Sequence, residues 1–322
     1  MESSAKPVMD GYTDLNLWFD VVTRTEVPTL AKFGEHGSRV LRVLTRNDLR
    51  RKHRELFHRV VTDVPRFFDL MREVGAILAG SAVLHMLSPL FDAVQDYDFF
   101  VPSDHLYTLA HYLILEEGFE MENLNEREGT NGCMIEDLRY LAGIGSRITL
   151  RKGTVIVDVI AVGAADDWDC AYAVIASAWT TLLFNYAGPD KIMVGYPTLT
   201  LLGRGLIQWD RALHPSFPHG TRMEELEKYV ERGYQFRTQA DDWDVTTEGQ
   251  LRPCVESWVC PLRKRAFGDG GCLVVAMGRR ASRRDTVGWL FGGKPCPLVC
   301  DKERTARNEV HVEWCACGST GA

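Results

Sequence analysis

The chain has 322 residues, of which 45% are hydrophobic and 25% charged, and its formal net charge is −7 at pH 7. This balance is typical of a globular protein with one large or two smaller domains, and it excludes the disordered, collagen-like and coiled-coil classes. The longest apolar stretch, around residues 155–165, is interrupted by Asp158 and is too short to span a bilayer. The N-terminal segment has no apolar signal core. We therefore expect an intracellular protein, cytoplasmic or nuclear, without a membrane partner.

Four regions follow one another along the chain. Residues 1–44 predict an irregular N-terminal arm, and residues 45–165 a folded core with leading helices. Residues 166–250 predict a helical region. Residues 251–322 form a basic extension rich in Cys, Gly and Arg, with eleven Lys and Arg against six Asp and Glu from Pro261 onwards. Because the body is acidic, this extension is expected to fold back onto it, to bind a polyanion, or to be poorly ordered.

The nine cysteines give limited information about chemistry. Seven of them lie in the last quarter of the chain, and reduced thiols are the expectation for an intracellular protein. The pairs Cys296–Cys300 and Cys315–Cys317 lack the C-x2-C spacing of common zinc sites. The sequence favours buried and surface thiols over a structural zinc, and it leaves open whether the tail binds zinc.

The first helical pattern covers residues 45–74. Asn47 or Asp48 is a candidate N-cap, and Pro65 is expected to divide the pattern into two helices. The outward residues between Arg50 and Arg59 form a basic stripe. A solvated helix face is the favoured interpretation of this stripe, ahead of a phosphate-binding surface.

The later elements alternate between strands and helices. In chain order the sequence predicts a short apolar run at 76–79 leading into Gly80-Ser81 and a helix, a strand at 96–101, a helix from Ser103 to Gly118, a hairpin at 147–162, and helices at 170–185, 199–209 and 223–234. His85, on the helix after Gly80-Ser81, is expected to be a packed side chain rather than a base.

Three acidic residues interrupt apolar strands. Asp96 and Asp98 are two residues apart in the run DYDFFV, so both carboxylates project from the same side of a strand. Asp158 is the single charge in VIVDVI, a run typical of a strand buried on both faces. Burying an unpaired carboxylate costs several kcal/mol, about as much as the whole stability margin of a domain. These residues therefore need partners.

A divalent cation is the partner that suits converging carboxylates. Mg²⁺ and Mn²⁺ prefer oxygen ligands, and two such ions about 3.5–4 Å apart can clamp a phosphoryl displacement. Gly80 would let the backbone approach phosphates, Ser81 could donate its hydroxyl, and the following helix offers free N–H groups. The pattern predicts transfer of a nucleoside monophosphate from an NTP to a hydroxyl, with release of pyrophosphate.

The order of these motifs resembles the nucleotidyltransferase superfamily typified by DNA polymerase beta. The resemblance is carried by Ala79-Gly80-Ser81, by Asp96-Tyr97-Asp98-Phe99 and by Asp158 on a later strand. The chain is more closely similar to a group of largely uncharacterised fungal proteins with this core, on the further segments Ala176–Tyr186 and Tyr196–Thr200.

The resemblance spans roughly residues 74–208 and implies an α+β fold. It implies a nucleotidyltransferase-type mixed β-sheet with packed helices, followed by a helical region that completes the nucleotide cleft. In the resulting hypothesis Asp96 and Asp98 hold both metals, and Asp158 holds the metal that activates the acceptor. Gly80 and Ser81 position the triphosphate. The acceptor stays open between RNA, a protein and a small molecule.

Three alternatives compete with this hypothesis. The first is structural: Asp96 and Asp98 meet solvent at a sheet edge, and Asp158 pairs with Arg147 or Arg151. The second is a catalytically inactive nucleotide-binding module on the same fold. The third is an RNA- or protein-interaction scaffold that uses the basic tail and the basic stripe.

Overall fold

A computed structural model gives the architecture of the protein for part of the chain. It describes residues 29, 39–88, 90, 94–125, 144–162, 171–208, 219–239, 258–261, 263–277 and 287–292. Most of the predicted N-terminal arm and both cysteine pairs of the tail lie outside the described residues.

The described residues form helices and strands in an α+β arrangement. The helices are α1 (Arg39–His58), α2 (Val64–Glu73), α3 (Gly80–Leu87), α4 (Leu106–Leu115), α5 (Ala171–Ala176), α6 (Pro197–Thr200) and α7 (His219–Glu231). The strands are β1 (Ile77–Ala79), β2 (Asp96–Pro102), β3 (Glu120–Asn125), β4 (Ile144–Lys152), β5 (Val155–Val162), β6 (Asn185–Ala187), β7 (Lys191–Val194), β8 (Arg204–Leu206), β9 (Gln235–Arg237), β10 (Lys264–Ala266), β11 (Leu273–Ala276) and β12 (Gly288–Leu290). No helix in the described part of the chain combines the length and hydrophobicity needed to cross a membrane.

Eight strands form one mixed sheet in the order β11-β7-β6-β1-β2-β5-β4-β3. Within this sheet β2 and β5 pair in parallel, and the other six neighbouring pairs are antiparallel. A parallel pair needs a crossover connection, and here the chain passes through α4 and the edge strand β3 before β4 and β5 form the predicted hairpin. In this strand order β2 and β5, which carry the acidic residues, lie in the interior of the sheet between β1 and β4.

Helices α1, α2 and α4 cover one face of the sheet. Residues along β2 alternate between buried and half-buried, with Tyr97, Phe99 and Val101 on the buried side. The ring of Phe99 lies 5.5 Å from that of Phe67 on α2 and 6.3 Å from that of Phe57 on α1. Because side chains alternate along a strand, this packing sends Asp96 and Asp98 to the opposite face.

The described part of the C-terminal extension packs onto the body. Strand β11 pairs with β7 and forms an edge of the central sheet. The buried guanidinium of Arg265 donates to the carbonyls of Gly195 and Trp258 and binds both carboxylate oxygens of Asp269. A Cβ at Gly271 would lie only 2.6 Å from the Trp258 indole, so this contact requires glycine. These contacts fix the extension against the loop that follows β7.

The structure confirms the predicted helix after Gly80-Ser81, the strand at 96–101, the hairpin and the charged helix α7. The first helix starts at Arg39, earlier than expected, and Asp48 inside it binds Arg51 instead of capping it. The pattern is divided into two helices next to Pro65, as predicted. Pro65 lies in the first turn of α2, where the missing N–H costs nothing, and Asp63 caps that turn.

Two predicted helices are wrong over most of their length. The helix predicted at 170–185 ends at Ala176, and the chain continues through a single 3₁₀ turn into β6. The helix predicted at 199–209 ends at Thr200, and β8 follows. Gly203 has a φ of +66°, which stops the helix. Both segments are buried among aromatic side chains, so their apolar spacing reflected the core and not a helical face.

Candidate active site

The three predicted acidic residues lie on one face of the sheet. In the parallel ladder between β2 and β5, Asp98 is directly opposite Asp158, and Asp96 is opposite Ile156. Directly opposed residues of neighbouring strands point to the same face. The carboxylates of Asp96, Asp98 and Asp158 therefore share the face that α1, α2 and α4 leave uncovered.

Gly80 lies against Asp98. Its neighbour Ala79 is opposite Asp98 in the antiparallel ladder between β1 and β2. Gly80 has a φ of +70°, and a Cβ built on it would overlap Oδ2 of Asp98. The glycine is required by this backbone conformation and by the close carboxylate. The sequence predicted that a phosphate approaches the backbone at Gly80, whereas in the structure the Asp98 side chain fills this space.

Ser81 and His85 lie on α3, directly after Gly80. Ser81 is buried, with 6% of its surface exposed. His85 is half-buried, in line with a packed side chain. The structure thus places Gly80 next to the acids, and Ser81 is a buried residue of the same turn.

Helix α7 brings a cation to the site from far along the chain. Lys228 Nζ lies 3.5 Å from Oδ2 of Asp96, and both side chains are close to half exposed. Tyr229, the next residue, is buried, and its pKa is raised first by burial and then by the Asp98 carboxylate. The helix predicted after Met223 is therefore in contact with the acidic face.

Asp158 has two partners on β4. Thr149, opposite Asp158 in the antiparallel ladder, donates its hydroxyl to Oδ1 at 2.6 Å. Arg147 lies 3.6 Å from Oδ2. The pairing of Asp158 with Arg147, one of the alternatives predicted from sequence, is present. Arg151, the other predicted partner, instead binds both carboxylate oxygens of Glu122.

Asp98 is the central carboxylate, and its environment differs from that of its neighbours. Within the part of the chain that the structure describes, no hydrogen bond or ion pair reaches its carboxylate. Burial, followed by the negative charges of Asp158 and Asp96, raises the pKa of Asp98 to about 7, although Lys228 opposes the shift. Near neutral pH this side chain is therefore poised between a protonated and a charged form.

The carboxylates of the site are suitable ligands for a divalent cation, but in their present orientations they do not converge on one point. Three carboxylates on adjacent strands are the oxygen ligands that Mg²⁺ and Mn²⁺ prefer. Across the described ranges, however, no set of three or more His, Cys, Asp and Glu side chains converges as a metal site. Asp96 and Asp158 turn towards Lys228 and Arg147, and a metal ion would have to displace those cations.

The basic stripe on α1 is partly engaged within the protein. Arg50 donates to the carbonyl of Met277, and Arg51 binds Asp48 and Glu55 on its own helix. These contacts favour the structural interpretation of the stripe over a phosphate-binding surface.

Thr149, Lys228 and Tyr229 were not predicted from the sequence. Thr149 could have been found, because the hairpin turn at residues 153–154 fixes the register between β4 and β5 and so places Thr149 opposite Asp158. Lys228 could not, because 132 residues separate it from Asp96 and no local pattern links them.

No protein-family model, no curated protein and no solved structure matches this chain. The geometry of the acidic face is therefore the observation on which a functional proposal has to rest.

Proposed function

We propose that the protein is a metal-dependent nucleotidyltransferase of the polymerase-beta type, which moves a nucleoside monophosphate from an NTP to an acceptor hydroxyl with release of pyrophosphate. The observation that carries this proposal is Asp98. A central carboxylate without a hydrogen-bond donor among the described residues, flanked by Asp96 and Asp158, is poorly stabilised as an anion. A divalent cation or a proton relieves that repulsion.

The arrangement of neighbouring groups supports this chemistry. Asp96, Asp98 and Asp158 would hold the divalent ions, which supply positive charge to the triphosphate when bound. The turn at Gly80, against Asp98, leads into α3 and lies on the β1 side of the acids. We assign the triphosphate to this side. Asp158 lies on the β4 side, where the sheet face is lined by polar residues, and we assign the acceptor hydroxyl to it.

Two cationic side chains already lie near the acids and would take part in the same reaction. Lys228 and Arg147 lie 3.5 and 3.6 Å from carboxylate oxygens of Asp96 and Asp158. A metal ion bound by those carboxylates would release both side chains. The freed ammonium and guanidinium groups would then be within reach of phosphate oxygens, which both groups bind well.

The test is a turnover assay with each of the four labelled NTPs, Mg²⁺ or Mn²⁺, and RNA, protein or small-molecule acceptors, which measures release of pyrophosphate. We expect turnover by the wild type and a loss of at least about 100-fold in Asp98→Asn, because removal of an electrostatic catalytic group costs this much. Asp104→Asn, which changes an exposed carboxylate on the 3₁₀ turn before α4, is the matched control and keeps full activity. Equal turnover by Asp98→Asn and wild type would reject the proposal.

An inactive nucleotide-binding module is the second candidate. The observation that favours it is that Lys228 and Arg147 occupy Asp96 and Asp158, so the acids do not converge as they stand. In that case the wild type binds an NTP in the presence of Mg²⁺ by calorimetry, and the same sample releases no pyrophosphate with RNA, protein or small-molecule acceptors. Measurable turnover excludes this candidate.

A further inference from the structure

The two oxygens of the Asp158 carboxylate are held in different ways. Oδ1 accepts the hydroxyl hydrogen of Thr149 at 2.6 Å, within the range of a strong O–H···O⁻ bond. Oδ2 faces Arg147 at 3.6 Å, beyond hydrogen-bonding distance, and the Arg147 side chain is 47% exposed. The Thr149 contact is tight and partly buried, whereas the Arg147 contact is loose and open to solvent.

The Thr149 hydroxyl is well suited to orient this carboxylate. Threonine is β-branched, so its χ1 angle is restricted, and β4 is bonded to strands on both of its sides. The hydroxyl is neutral, so it fixes Oδ1 without competing with a cation for the negative charge. Arg147 does compete, because its own positive charge neutralises Asp158.

We propose that Thr149 is a positioning residue for Asp158, which holds Oδ1 and so presents Oδ2 to the ligand side of the face. This inference rests on the proposed function, in which Asp158 helps to hold a divalent ion. Outer hydrogen-bond partners of a ligating carboxylate typically change metal affinity by about 10–100-fold when they are removed. Thr149 is thus expected to tune ion binding at the acids without contacting the ion itself.

The experiment compares two substitutions of Thr149. Thr149→Val keeps the shape and the strand preference but removes the donor, and Thr149→Ser keeps the donor. The Mn²⁺ dissociation constant is measured by electron paramagnetic resonance without nucleotide, alongside the thermal midpoint. We expect Thr149→Val to weaken Mn²⁺ binding by about 10-fold or more and Thr149→Ser to stay within about twofold of the wild type.

A threonine elsewhere provides the matched control. The hydroxyl of Thr181 accepts the backbone N–H of Leu206 at 2.9 Å, in a buried turn between α5 and β6. Thr181→Val also removes a buried side-chain hydrogen bond, so it lowers the thermal midpoint. It leaves the Mn²⁺ dissociation constant unchanged if the effect at Thr149 is specific.

Failure of this inference and failure of the proposed function give different results. If the wild type binds Mn²⁺, Asp98→Asn abolishes binding and Thr149→Val binds as tightly as the wild type, the role of Thr149 is rejected and the proposed function stands. If the wild type binds no Mn²⁺, or Asp98→Asn binds it equally well, both fall. A loss in Thr149→Val that Thr149→Ser shares also rejects the role of the hydroxyl.

Discussion

Two groups of buried or half-buried charges lie in the described part of this protein, and they are built in opposite ways. At the C-terminal extension, Arg265 is surrounded by acceptors: both oxygens of Asp269 and the carbonyls of Gly195 and Trp258. At the centre of the sheet, Asp98 is next to two further carboxylates and has no donor within the described residues. The first group joins opposite charges, and the second collects like charges.

The charges around Arg265 stabilise the fold, whereas the charges around Asp98 are arranged as a binding site for a ligand would be. Asp269 is ionised at low cost, because its bonds to Arg265 and two backbone N–H groups offset the burial and lower its pKa. The pKa of Asp98 moves in the other direction, to about 7. A protein that used Asp98 only for stability would gain from an uncharged residue at this position. We therefore expect substitutions in the two groups to have opposite effects on stability.

The largest expected effect is at Arg265. Arg265→Met leaves Asp269 as an unpaired, half-buried carboxylate, and breaking a buried pair in this way typically costs about 3–5 kcal/mol. Urea denaturation measures the loss. The double variant Arg265→Met, Asp269→Leu should recover part of it, since no charge is then left unpaired. A single variant within about 1 kcal/mol of the wild type would contradict the structural role of this pair.

Gly80→Ala should have the next largest effect. The new Cβ meets a strained backbone conformation and also overlaps Asp98 Oδ2. Gly153, in the hairpin turn, is the matched control, because its φ is +61° and nothing lies within 4 Å of a Cβ there. We expect Gly153→Ala to cost about 1 kcal/mol for the backbone alone, and Gly80→Ala to cost about 1–3 kcal/mol more. Equal costs at both positions would mean that Asp98 moves aside freely.

Asp98→Asn should stabilise the protein at high pH. A carboxyl whose folded pKa is raised from 3.8 to about 7 contributes stability that is fully present below pH 3.8 and is lost as the pH rises through about 7. Without added metal, the variant should therefore be about 1–3 kcal/mol more stable than the wild type at pH 8, and the two should converge near pH 4. Chemical denaturation across this range measures the difference.

His53 also contributes to the pH dependence of stability in that experiment. Its contribution is the same in the wild type and in Asp98→Asn, so it cancels when the two are compared. His53 is buried and bonded to the Gly188 carbonyl, and burial lowers its pKa to about 4. It destabilises wild type and variant alike as the pH falls below about 6.5. If Asp98→Asn and the wild type show the same pH dependence, the like-charge description of the acidic face is wrong.

Lys228→Met should have the smallest effect on stability. Its pair with Asp96 is exposed, and such pairs contribute about 0–1 kcal/mol. Because Lys228 lowers the pKa of Asp98, its removal should move the transition in the stability profile to higher pH. Lys264→Met, on an exposed position of β10, is the control and leaves the profile unchanged. No shift, or a shift to lower pH, would contradict the effect of Lys228 on the Asp98 carboxylate.

The sequence predicted the parts of the site that local patterns specify. The period of two in β2 and the lone charge of β5 were enough to place Asp96, Asp98 and Asp158 on strands, and the hairpin signal fixed the neighbours of β5. The short strands after Ala176 were missed, because apolar residues in a core buried on several sides have no clear period. The Gly80–Asp98 contact and the Lys228–Asp96 pair depend on tertiary packing, so no local pattern could predict them.

The pairing of β11 with β7 has a consequence for how the protein is made. Synthesis proceeds from the N-terminus, so the acidic face and most of the central sheet emerge from the ribosome well before residues 273–276. Until they emerge, β7 has free N–H and C=O groups along one side, which is a known starting point for pairing with another chain. When β11 docks, these groups of β7 become paired, and β11 becomes the edge strand of the sheet in place of β7.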